Sequence, residues 1–204
     1  MDILGKLFGS AARVKIMRLF LLNSEEVFEN SDVVKKSKVN AQIARKELLM
    51  LSKIGFIKKT SFFKEFPARS KNKKPTKKRV SGWQLHKNFP LLQPVHELLV
   101  NTEPLGSREI ADRLKRCGSI KLIIVSGAFI QNPDSRVDML IVGDKLKKGA
   151  ISSVLSVIES EVGKELSYTA LETQEFKYRL SVYDKFIRDI LDYPHTKIVD
   201  KIGV

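Results

Sequence analysis

The residues of this chain most able to do chemistry at a distance are cations packed into one stretch. Positions 64–79 read Lys64-Glu65-Phe66-Pro67-Ala68-Arg69-Ser70-Lys71-Asn72-Lys73-Lys74-Pro75-Thr76-Lys77-Lys78-Arg79, with eight Lys or Arg and one acid. A segment so charged cannot be buried without neutralisation. It points into water, as most charge runs do, or onto a polyanion. A second basic and polar set is sparser: Asn40, Gln42, Arg45, Lys46 and Lys53. On a helix in a major groove, Arg and Gln can read base edges. Closely spaced ammonium and guanidinium groups such as Arg69, Lys71, Lys73, Lys74, Lys77, Lys78 and Arg79 would bind phosphates, adding affinity more than sequence choice.

The bulk charge agrees. The 204 residues carry a formal net charge of +14. Residues 1–100 hold 21 Lys and Arg against 8 Asp and Glu, and residues 101–204 hold 16 against 15. The excess is therefore confined to the first half, which suggests an anionic partner there: nucleic acid or a membrane surface. Hydrophobic content of 43% supports real cores and excludes overall disorder. The longest apolar run, 16–22, is broken by Arg18 and is far short of the roughly 20 residues that span a bilayer. The start, Met1-Asp2-Ile3-Leu4-Gly5, lacks the basic flank and cleavage site of a secretory signal. The single cysteine, Cys117, has no partner for an intramolecular disulfide, as expected of a cytoplasmic protein. It is expected to be a small, partly buried residue. His86, His96 and His195 lack metal-ligand spacing. Neither metal nor cofactor is expected.

Elements must hold these side chains in place. Residues 2–22 read as an amphipathic helix, split near Gly9 and Ser10. A very short strand at Val27-Phe28 precedes the cap cluster Asn30-Ser31-Asp32 and a short helix with Val33 and Val34 inward. Lys38-Val39-Asn40 is a tight turn. Asn40 caps a third helix over 41–53, whose inner stripe is Ala44, Leu48 and Leu51. Gly55 ends it. Two arms, 55–63 and 80–86, follow as paired strands flanking the basic tip 64–79. Trp83 and Phe62 are expected in the core or at a dimer contact rather than stacked on bases.

The order helix, short helix, turn, helix and two-stranded hairpin is that of a winged helix-turn-helix. The run Val33-Val34-Lys35-Lys36-Ser37-Lys38-Val39-Asn40-Ala41-Gln42-Ile43-Ala44-Arg45-Lys46-Glu47-Leu48-Leu49-Met50-Leu51-Ser52-Lys53-Ile54-Gly55-Phe56-Ile57 resembles the core of ArsR-like winged-helix transcriptional regulators. The opening Leu4-Gly5-Lys6-Leu7-Phe8-Gly9-Ser10-Ala11-Ala12-Arg13-Val14-Lys15-Ile16 resembles their first helix. The resemblance covers roughly residues 3–86. It implies duplex DNA as partner, 41–53 as recognition helix and 64–79 as wing. Lys38 departs from the glycine such turns often hold. A left-handed lysine costs about 1 kcal/mol, so a differently shaped turn is expected. The chain also lacks the Cys or His cluster with which some ArsR-like proteins sense metal.

Residues 89–118 read as a helical connector, with one helix after Pro90 and another over 107–116 capped by Ser107. These helices are a candidate dimerisation element, and a homodimer is expected. From 119 onward the pattern is α/β. Strands are expected at 120–125, 137–142, 166–171 and 197–202, with helices at 148–162, after a Thr173 cap, and at 186–191.

This second half resembles a minimal nucleotidyltransferase domain of the polymerase-beta superfamily. The likeness rests on Val125-Ser126-Gly127-Ala128, on Ser135-Arg136-Val137-Asp138-Met139-Leu140-Ile141-Val142-Gly143-Asp144, on Phe176-Lys177-Tyr178-Arg179-Leu180, and on Phe186-Ile187-Arg188-Asp189-Ile190-Leu191-Asp192. Active members hold divalent metal with two carboxylates two residues apart on a strand and a third on a neighbouring strand. Here Arg136 stands at the first position, Asp138 at the second, and Ser167-Tyr168-Thr169 offers no third. The phosphate-cradling Gly-Ser is reversed as Ser126-Gly127. The resemblance thus implies a degenerate site of Ser126, Gly127, Arg136 and Asp138, with Asp138 salt-bridged to Arg136.

The expected architecture is α+β: a winged helix-turn-helix domain over 1–88, the connector 89–118, and a small α/β nucleotidyltransferase-like domain with a mixed sheet over 119–204. The expected function is sequence-specific binding of double-stranded DNA by a transcriptional regulator. It has no catalytic residues, and its C-terminal domain offers a site for a nucleotide or a protein partner. The alternatives are an antitoxin-like nucleotidyltransferase and a non-catalytic nucleotide sensor.

Overall fold

A computed structural model describes residues 3–66, 76–101, 105–132 and 134–204. The chain divides into two compact units, Met1–Thr102 and Glu103–Val204. Both mix helix and strand, and the fold is α+β with a mixed sheet in the second unit. No helix among the described residues is long and apolar enough to cross a membrane.

The first unit opens with α1 (Ile3–Leu7) and α2 (Ala11–Leu22). They part where the sequence places a break. Gly9 takes φ +72, and the Ser10 hydroxyl accepts from the Arg13 amide at 3.1 Å, capping α2. Helix α2 is buried along Ile16–Leu21, Arg18 included. Such a helix is enclosed by its neighbours rather than half-solvated. The buried Arg18 guanidinium donates from Nε to the carbonyl of Leu99 at 2.8 Å. Leu99 lies in α5 (Leu92–Val100), so this bond joins the last helix of the unit to its central one.

Between them come α3 (Asn30–Ser37) and α4 (Ala41–Lys53). The N-cap of α3 is Glu29, one residue before the expected cluster, and Asp32 accepts from the Glu29 amide at 3.0 Å. Lys38 does enter the left-handed region, at φ 53 and ψ 30, so the turn keeps its shape with lysine in place of glycine. Helix α4 ends as expected. The Gly55 amide bonds Ser52 O at 3.1 Å, the Phe56 amide bonds Leu51 O at 3.0 Å, and Gly55 supplies φ +80. That is a Schellman closure, which turns the chain sharply into the hairpin.

The hairpin corrects the sequence expectation in length. Strands β1 (Ile57–Phe66) and β2 (Thr76–Leu85) are each ten residues long and pair in register from Ile57↔Leu85 to Phe66↔Thr76. Residues 64–66 and 76–79, expected in a charged tip, are therefore strand. Charge does not prevent pairing when both faces of a ribbon are solvated. Glu65 sits opposite Lys77 and bonds it at 2.9 Å. Lys64 sits opposite Lys78, an unfavourable like-charge pair, and turns instead to Glu29. The short strand expected at Val27-Phe28 is a single bridge, Phe28 to Trp83. It needs Gly82: a Cβ there would lie 2.8 Å from both Phe28 O and Val27 Cγ1. The core beneath gathers Phe20, Val33, Ala44, Leu48, Leu51, Phe56 and Leu85, with Trp83 packed at its edge. Burying each large apolar side chain contributes roughly 1.5–3 kcal/mol.

The second unit runs α6 (Ser107–Leu114), a single turn Lys115–Cys117, β3 (Ser119–Val125), a turn Gly127–Phe129, β4 (Met139–Asp144), α7 (Lys148–Val162), β5 (Tyr168–Glu172), α8 (Thr173–Ser181), α9 (Lys185–Asp192) and β6 (Thr196–Asp200). The sheet order is β5-β4-β3-β6; β4 and β5 are parallel, with α7 as their crossover, and the other pairs are antiparallel. Leu122–Val125 and Met139–Val142 are buried on both faces, which explains their unbroken apolar runs. Cys117 is buried, and that burial raises its thiol pKa. Two caps differ from expectation. Gly106, not Ser107, caps α6, and Glu172, not Thr173, caps α8. Thr173 is the first helical residue, with Oγ1 buried and without a hydrogen-bond partner among the described residues. The two helices of 89–118 divide between the units, α5 in the first and α6 in the second.

Candidate nucleic-acid interface

Helix α4 presents one polar face to solvent because its other face is fastened. Asn40 Oδ1 accepts from the Gln42 amide at 2.9 Å and starts the helix. Ala44, Leu48 and Leu51 are buried as expected, and so is Glu47. Its carboxylate takes the Arg13 Nε at 2.8 Å, while Arg13 Nη1 reaches Phe8 O at 2.6 Å. This pair ties α4 to the α1–α2 corner and fixes the rotation of α4 about its axis. Gln42, Arg45, Lys46 and Lys53 are all exposed. Among the described residues their side chains make no hydrogen bond or ion pair. Spacings of three, four and seven place them on one side of the helix. Ile43 and Leu49 stand exposed beside them, at 47% and 57%. The surface thus combines exposed donors with two exposed apolar side chains.

The hairpin carries the second set. Lys77, Lys78 and Arg79 are exposed strand residues. Arg79 Nε bonds Ser61 Oγ at 2.9 Å, and Lys77 bonds Glu65. Glu29 holds the Lys64 ammonium above its usual pKa range, through their hydrogen bond. Arg69, Lys71, Lys73 and Lys74 lie outside the described residues. At the base of the hairpin Trp83 Nε1 donates to Asn30 Oδ1 at 2.7 Å, and Gln84 Nε2 donates to Glu25 O at 3.2 Å. The first ties β2 to the start of α3 and the second to the segment joining α2 and α3. Against this base lies a cleft of about 310 Å³ lined by Glu29, Asn30, Ser31, Lys59, Ser81, Gly82 and Trp83. Sequence reasoning passed over Lys59, Ser31 and Ser81. Strand alternation could have placed Lys59 with Ser81 and Trp83 on one face, but Ser31 comes from a different element.

The residues singled out in the second unit do come together, though not as expected. Arg136 does not pair with Asp138; its Nε bonds Asp189 Oδ2 at 2.7 Å, far along the chain on α9. Asp138 Oδ1 instead accepts from the Ala128 amide at 2.6 Å, and Oδ2 accepts from the Ser167 amide at 2.8 Å. The carboxylate joins the loop after β3 to the entry of β5. Gly127 makes this possible: at φ +54, a Cβ would lie 2.1 Å from Asp138 Oδ1. Its own amide donates to Ser135 Oγ at 3.0 Å. Ser126 is buried, and its hydroxyl donates to Val137 O. No three His, Cys, Asp or Glu converge into a metal site among the described residues. Compared with known proteins, the chain matches no family model, no curated protein and no solved structure.

Proposed function

We propose that the chain binds double-stranded DNA as a transcriptional regulator, with α4 in the major groove and the hairpin as a basic wing on the backbone. The observation that carries this reading is the face of α4. Gln42, Arg45, Lys46 and Lys53 are exposed and unpartnered among the described residues, on a helix clamped from behind by Leu48, Leu51 and the Arg13–Glu47 pair. A rigid helix with a donor face is what groove readout requires. The net charge of residues 1–100 supports an anionic partner for this unit.

The second unit we read as a non-catalytic module that senses a nucleotide or holds a protein partner. The engagement of Asp138 by two main-chain amides and of Arg136 by Asp189 supports this over a nucleotidyltransferase. Self-association as a homodimer is part of the same proposal. Ile3 and Leu7 of α1 and Leu98 of α5 are exposed apolar residues of the first unit. The test is duplex affinity against salt for the wild type and Arg45→Ala/Lys46→Ala. The expected result is a steep negative salt slope that the double variant flattens by about one to two units. A flat slope in the wild type, or full affinity in the variant, overturns the reading.

A further inference from the structure

The cleft at the base of the hairpin has a lining of mixed polarity, but its groups are not equally free. The one acid, Glu29, is held by Lys64. The one amide, Asn30, has its oxygen on the Trp83 indole. The Lys59 ammonium and the Ser31 and Ser81 hydroxyls have no partner among the described residues, and all three are exposed. What remains open in the cleft is thus a set of donors. The hairpin register extends the set. Ser61 lies opposite Ser81, and Arg79, two residues before Ser81, holds Ser61 from that same face of β2. A cation therefore flanks Ser81 on either side along the ribbon. One ammonium, two hydroxyls and a nearby guanidinium suit a compact anion that accepts several hydrogen bonds at once.

We infer that this cleft seats a phosphate group of the nucleic-acid backbone, held by Lys59, Ser81 and Ser31 and flanked by Arg79. The inference rests on the DNA reading for the source of the phosphate, and on the cleft alone for its chemistry. Seated there, a phosphate fixes the base of the hairpin, and with it the start of α3, against the strand. The hairpin is then clamped at its root as well as along its length.

Trp83 makes this testable, since it is the only tryptophan in the chain and forms part of the cleft wall. Labelled duplex is titrated into the full-length protein, with anisotropy reporting binding and tryptophan emission reporting the cleft. Inorganic phosphate and a nucleoside monophosphate serve as free-phosphate probes. In the wild type, duplex is expected to change both signals. Lys59→Ala/Ser81→Ala should weaken duplex binding roughly tenfold, reduce the salt slope by about 0.9, and silence the emission change. Lys58→Ala, on the opposite face of β1, should leave the emission change in place. Unchanged melting temperatures identify the variants as folded.

If duplex binds while emission stays constant and the double variant retains full affinity, the cleft is overturned and DNA binding stands. If duplex fails to bind but a free-phosphate probe shifts emission in a Lys59-dependent way, the DNA reading falls and the phosphate cleft stands with a soluble source. If no probe binds, both are overturned.

Discussion

Residue by residue, the chain reuses polar groups as fasteners. Asp138 links two loops through main-chain amides, and the expected consequence of removing it is structural. Asp138→Ala leaves the Ala128 and Ser167 amides without their acceptor. It should destabilise the second unit by about 1–3 kcal/mol, read as a lower urea midpoint with the slope unchanged. Arg136→Ala should have a smaller effect. Its partner Asp189 is largely buried, but Arg136 itself is half-exposed, and exposed pairs contribute about 0–1 kcal/mol. Lys38 predicts the opposite sign. It occupies left-handed backbone that glycine adopts freely, so Lys38→Gly should raise stability by up to about 1 kcal/mol. At this scale the sequence is a poor guide to partners. It placed Asp138 and Arg136 in one neighbourhood but paired them with each other. Both real partnerships join residues remote in sequence, and one of them uses backbone amides, which carry no residue signature.

Among the elements, α4 was the most legible. Asn40 at its start and Gly55 past its end mark the boundaries, and the spacing of Ala44, Leu48 and Leu51 marks the inner face. Glu47 was not legible. An acid beside an apolar stripe reads as solvated until an arginine 34 positions away is known to meet it. Glu47→Ala should therefore unfold the first unit at lower denaturant, by about 1–3 kcal/mol. It should also weaken duplex binding, because α4 loses the contact that sets its rotation. A thermal melt and the duplex titration together test this, and an unchanged melting temperature would remove the clamp from the argument. The hairpin was legible in existence but not in length. Lysine content masked the strand character of 64–66 and 76–79, because β-propensity scales reflect packing on half-buried surfaces, whereas Glu65, Lys77, Lys78 and Arg79 are exposed. Gly82→Ala belongs here too. The added methyl meets Phe28 O and Val27 Cγ1 at 2.8 Å, so it should break the Phe28–Trp83 bridge and shift tryptophan emission in the absence of any ligand.

At the scale of the whole molecule, two units with separate cores carry unequal charge, and that asymmetry was plain from composition alone. It predicts a division of labour. Residues 1–101 expressed alone should stay on an anionic column at salt concentrations that release residues 105–204. Equal elution of the two would argue that the charge excess is not presented as one surface. The unit boundary itself was harder to read. The sequence groups the helices of 89–118 as one connector, whereas α5 belongs to the first core through Leu99.

The bond from Arg18 to Leu99 has a practical corollary for anyone cutting this gene. A first unit trimmed near residue 88 would lack the Leu99 carbonyl that receives the guanidinium at the centre of α2. A buried cation stripped of an acceptor is among the more damaging defects a small core can carry. Such a fragment should express poorly or aggregate for reasons unrelated to DNA. The shortest usable form of the first unit extends through α5, which ends fifteen residues beyond the end of β2.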